Sequence, residues 1–122
     1  MYIIKKQPPS VLAELKKHSV SDICISSITY AELRYGVSKS ANRQKNALAL
    51  AIFLTGIRIV PFDLDSSEVY GDIRQELQAN GTPIGSMDML IAAHAKALGY
   101  TLVTNNLREF NRVRGLKTEN WV

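Results

Sequence analysis

At 122 residues the chain has room for one compact domain and no second core of ordinary size. Hydrophobic residues make up 46% and charged residues 21%, the balance of a globular protein, which excludes a disordered or fibrous chain. The net charge of +4 favours a polyanionic partner only weakly, because solvated basic helix faces give the same total.

The chain opens with Met1-Tyr2-Ile3-Ile4-Lys5-Lys6, an apolar stretch ahead of its charges and too short for a signal peptide. The longest apolar run, residues 47–54, is far below the roughly 20 residues needed to cross a bilayer. A cytoplasmic protein is the expectation. Pro8-Pro9 break the first segment, and Ser10 can cap a helix over residues 10–18. Ile23-Cys24-Ile25 reads as a short buried strand, apolar throughout as parallel strands tend to be. Cys24 is the single cysteine, a buried small hydrophobe, so an internal disulfide and a cysteine zinc cage are both excluded. Ser26, Ser27 and Thr29 offer capping hydroxyls for a helix over residues 30–37.

A longer helix is expected over residues 42–54, with Ala47, Leu48, Ala51 and Leu54 on one inward stripe and Gly56 after it. Residues 57–62 form a short β-type stretch. A further helix starts at Asp65 or Ser66, carries Val69, Ile73 and Leu77 inward, and ends at Asn80-Gly81. Ser86 caps the next, which ends at Gly99 with Met87, Leu90, Ile91, His94 and Leu98 on its stripe. Residues 100–104 give a buried strand, followed by a short helical turn near Leu107 to Phe110 and a tail whose Val113, Leu116, Trp121 and Val122 can pack down. Strands alternating with helices predict an α/β fold with a parallel sheet. The opening segment reads poorly as a central strand because lysines follow at once. The expectation is that Met1 lies in an initial helix and that the first strand is absent, leaving neighbouring strand edges exposed and prone to aggregation.

Open α/β sheets bind ligands at the carboxyl ends of their strands. The acids in such positions are Glu32, one turn past the strand ending near Ile25, Asp88, in the first turn of the helix before the last strand, and Glu109, beyond Asn105-Asn106. Converging carboxylates need a cation, and oxygen-only ligation suits Mg²⁺ or Mn²⁺. Each residue also has a plainer reading. Thr29-x-x-Glu32 matches a capping box. Asp88 can complement its helix dipole, Asn105 and Asn106 can form a turn, and Glu109 can be solvated. His94 reads as a hydrogen-bonded core residue and His18 as a surface or capping one, so no catalytic histidine arrangement is evident. No glycine-rich phosphate loop occurs.

Three stretches in order change the balance. Residues 25–36, Ile-Ser-Ser-Ile-Thr-Tyr-Ala-Glu-Leu-Arg-Tyr-Gly, resemble the segment that supplies the second catalytic acid of PIN-domain ribonucleases, particularly VapC toxins of type II toxin–antitoxin pairs. Gly81 to Asp88, followed by Ile91-Ala92-Ala93-His94-Ala95, is similar to the segment carrying the third. Leu102 to Phe110 resembles the closing strand and its polar loop, and residues 115–122 look like the tail of this subgroup. The family opens with a strand ending in Asp-Thr-Asn, which this sequence lacks, and many relatives carry aspartate where Asn106 stands.

The resemblance implies a single PIN-like domain over residues 1–122, incomplete at its N-terminus, with a three-layer fold. It also implies a Mg²⁺-dependent endoribonuclease that cuts structured RNA, often tRNA, as a homodimer neutralised by a small VapB-like antitoxin. Glu32 and Asp88 would bind metal, Glu109 would bind or position it through water, and Thr29, Ser86, Thr104, Asn105 and Asn106 would orient ligands. The competing expectation is an impaired domain that binds antitoxin or RNA without cutting.

Overall fold

The computed structural model describes residues 1–5 and 19–121. The helix expected over residues 10–18, with His18, lies outside the described residues.

The opening segment corrects the sequence reading. Tyr2–Ile4 is a strand, β1, and it sits in the middle of the sheet rather than in a helix. It pairs in parallel with β2 (Ile23–Ser26) on one side, Ile3 opposite Cys24. On the other side it pairs with β4 (Thr101–Val103), Ile3 opposite Leu102. Two physical facts make this short run a strand. Ile3 and Ile4 are β-branched and almost wholly buried, at 0% and 2% exposure. The charge that follows also falls where the sheet edge opens, so Lys5 donates its backbone N–H to the Val103 carbonyl at 3.0 Å while staying half-buried. The sheet therefore has no gap, and the premise for exposed internal edges falls.

A short 3₁₀ turn at Val20–Asp22 leads into β2, whose four residues are all buried. Helix α1 (Ser27–Ser38) begins at once because Ser26 caps it, its hydroxyl accepting the Ile28 N–H at 3.0 Å. Helix α2 (Arg43–Phe53) packs against α1 but leaves Leu48 63% and Ile52 65% exposed. The expected inward stripe through Leu48 is thus rotated. Asn46, Leu50 and Phe53 face α1 instead. Strand β3 (Arg58–Val60) pairs with β2.

Helix α3 (Leu64–Ala79) is capped by Asp63, whose carboxylate accepts the Ser66 N–H at 2.9 Å. It lies along α4 (Ser86–Leu98), in the most extensive packing between elements. Ser86 is the first residue of α4 and not its cap, which is Gly85, and Met87 points outward at 40% exposure. Gly99 ends α4 with φ +71°, the left-handed conformation that glycine adopts freely. A short helix α5 (Leu107–Phe110) follows β4, and the tail adds strand β5 (Thr118–Glu119), an element that the packing residues of the tail do not announce.

The strand order is β3-β2-β1-β4-β5, all parallel. Strand alternation divides the core in two. Ile3, Cys24 and Leu102 join Ile73, Leu77, Ile91 and Phe110 on one face. Ile4, Ile23, Ile25 and Val103 meet Trp121, Tyr30 and Leu33 on the other. This is the three-layer α/β arrangement expected.

Candidate functional site

With every strand parallel, the carboxyl ends of β1, β2, β3, β4 and β5 share one edge. Helix α1 starts there because it follows β2 directly. Helix α4 feeds β4 through a tight turn, so its first turn returns to the same edge. Sequence thus delivers Asp88, the start of α1 and the segment after β4 to the edge where open sheets bind ligands.

Asp88 stands in the first turn of α4. Its Oδ1 lies 3.2 Å from Lys5 Nζ, and both side chains are only 18% exposed. The ammonium also faces the Phe110 ring, 5.9 Å from its centroid. Acids at strand ends are visible in the sequence, whereas Lys5 is not singled out by that pattern. The signal was present, a cation directly after an apolar triplet, but it counts only once that triplet is known to be a strand.

Glu32 does not serve as a capping residue. Ser26 fills that role, and the first turn of α1 holds no acid. Glu32 is half-buried and lines a groove of about 420 Å³ between α1 and α2, with Leu33, Gly36, Asn46, Leu50 and Phe53. Glu109 is half-buried on α5. Thr104 is buried, its hydroxyl accepting the Asn106 N–H at 3.0 Å and its N–H bonding the Glu119 carbonyl at 3.0 Å, which fixes the loop after β4. Asn105 is exposed and Asn106 half-buried. Thr29 is buried with no hydrogen-bond partner for its hydroxyl, and Ser86 is exposed.

A second polar group surrounds His94, in which Ser26, expected only as a helix cap, also meets the imidazole. Nδ1 of His94 lies 2.7 Å from Ser26 Oγ, and its ring meets Phe62 edge-on at 5.4 Å. Burial pushes the imidazole below its ordinary pKa, opposed by the Asp63 carboxylate. Ser66, whose backbone N–H donates to the Asp63 carboxylate at 2.9 Å, in turn lowers Asp63.

A hard divalent ion asks for about six oxygen ligands, carboxylates prominent among them. Among the described residues no three His, Cys, Asp or Glu side chains come together as such a group. Asp88 already has its countercharge in Lys5. The described residues do not by themselves fit a carboxylate cage for Mg²⁺ or Mn²⁺.

Comparison with known proteins gives a consistent picture. The family model described as PIN domain matches residues 1–116. Ribonuclease VapC2 of Rickettsia felis is 45% identical over 122 residues, covering 99% of this chain and 91% of that relative. The tRNA(fMet)-specific endonuclease VapC of Shigella flexneri is 40% identical over 121 residues, at 99% and 91% coverage. The crystal structure of VapBC2 from Rickettsia felis, bound to a DNA fragment from its promoter, contains a chain that superposes with a TM-score of 0.90. That chain is 41% identical, with 99% of this chain and 98% of the other covered.

Proposed function

Because the chain belongs to the PIN-domain family, we propose that it is the ribonuclease toxin of a toxin–antitoxin pair. In this reading it cleaves structured RNA, tRNA foremost, acts in the cytoplasm as a homodimer, and is restrained by a VapB-like antitoxin. The observation that carries the proposal is the position of Asp88 in the first turn of α4, at the carboxyl edge of the parallel sheet where open sheets bind ligands. Names of the relatives supply the substrate class, and the VapBC complex supplies the class of partner.

The roles follow from chemistry and place. Asp88 at the carboxyl edge is the acid of the proposed centre, and Glu32 and Glu109 are assigned to it by resemblance, since the three do not gather as one group among the described residues. Thr104 holds the loop that carries Asn105 and Asn106, and Thr29 stands buried at the start of α1. Exposed Arg108 and Arg112 supply positive charge for phosphates. PIN-domain nucleases are generally dependent on a divalent metal, and Mg²⁺ with Mn²⁺ as its substitute is the ion proposed, although the described side chains alone do not cage it.

The Lys5–Asp88 pair favours a second reading, in which this chain binds RNA or antitoxin without cutting. One experiment separates them. Folded transcript tRNA is incubated with the chain and Mg²⁺ or Mn²⁺, alongside an Asp88→Ala variant. Cleavage by the parent that drops about 100-fold or more in the variant supports the nuclease reading. RNA binding with no cleavage by either supports the second, and cleavage that survives Asp88→Ala removes Asp88 from the centre.

A further inference from the structure

We propose that Lys5 is a tethered cation that competes with divalent ions for Asp88, so that this chain holds metal weakly at its acidic edge. The inference rests on reading Asp88 as part of the functional centre.

Lys5 is placed by backbone, not by chance contact. It follows the central strand, and its N–H is tied to the Val103 carbonyl at 3.0 Å. From that anchor its ammonium reaches Asp88 Oδ1 at 3.2 Å. Two features hold it there. The Phe110 ring, fully buried and therefore fixed, presents its face to the ammonium. Both partners are largely withdrawn from solvent, which weakens screening of their attraction. A divalent ion approaching Asp88 meets a fixed positive charge within a few ångströms and must displace it. The anchored backbone limits how far the charge retreats.

The consequence is opposite to that of a lysine that merely steadies an acid. Removing the ammonium frees a carboxylate at the start of a helix and relieves charge repulsion, so metal affinity rises. Loss of a structural prop lowers it instead.

The test measures Mn²⁺ binding to the full chain, without RNA, by the electron paramagnetic resonance signal of free Mn²⁺. Lys5→Met keeps the apolar stem against Phe110 and removes the charge. Lys5→Gln serves as a second neutral variant should the first fail to fold by circular dichroism. The expected result is a gain in Mn²⁺ affinity of about ten-fold or more, cancelled when Asp88→Asn is added. Equal affinity in parent and neutral variants, weaker binding in the variants, or a gain that survives Asp88→Asn overturns the proposal. Because no RNA is present, failure here leaves the ribonuclease reading to its own assay.

Discussion

Ser26 Oγ lies 2.7 Å from His94 Nδ1, joining the end of β2 to the buried side of α4 across 68 positions of sequence. The same hydroxyl accepts the Ile28 N–H, so one serine both starts α1 and satisfies a core imidazole. Ser26→Ala removes the cap and leaves His94 with no partner at either nitrogen. The expected cost is about 1–3 kcal/mol, read from urea unfolding at neutral pH. A cost near zero would show that the pair contributes nothing.

His94 also makes stability pH-dependent. The unfolded chain titrates this imidazole near its ordinary 6.5, and the folded chain lower because the ring is buried. Between those values the unfolded state holds the extra proton. The contribution is whole above 6.5 and is lost as pH falls toward the lowered folded value. Unfolding midpoints should therefore fall from about pH 7.5 to about pH 5.5. His94→Gln should flatten that slope. An unchanged slope would place the effect on another group.

The central strand is tested by its most enclosed residue. Ile3 has no solvent exposure and belongs to the larger core cluster. Ile3→Ala should cost about 2–5 kcal/mol, as for other buried aliphatic truncations. Were residues 2–4 an edge or terminal helix, the same change would cost a small fraction of that, and chemical denaturation would show it.

Helix α2 gives the contrasting case. Leu48 and Ile52 are apolar by sequence yet mostly exposed. Replacing both with lysine should move stability by less than about 1 kcal/mol, as for surface positions without special partners. A large loss in the unfolding midpoint would mean that this face is covered in solution.

The proposed antitoxin partner is tested by thermal melting. Mixing the chain with a VapB-like antitoxin from the same genetic neighbourhood should raise its melting temperature, because a partner that binds the folded state alone stabilises it by mass action. No shift with excess antitoxin would argue against that pairing.

Much of this protein was legible in one dimension. Apolar runs such as Ile23-Cys24-Ile25 bury on both faces wherever they pair, so the parallel α/β class followed from alternation alone. Helix ends at Asp63, Gly85 and Gly99 came within a residue or two of their signals, because caps are local chemistry. The order of Glu32, Asp88 and Glu109 along the chain was likewise a local property. Tertiary structure decided the rest, since it depends on partners distant in sequence. Three residues at Tyr2–Ile4 and two at Thr118–Glu119 carry too little pattern to announce a strand, and become strands because neighbours supply their hydrogen bonds. Which side of α2 faces inward was set by α1, not by its own spacing. Above all, the ammonium beside Asp88 arises from two chain ends of β1 and α4 meeting at one edge, a juxtaposition that sheet order creates and no local signal encodes.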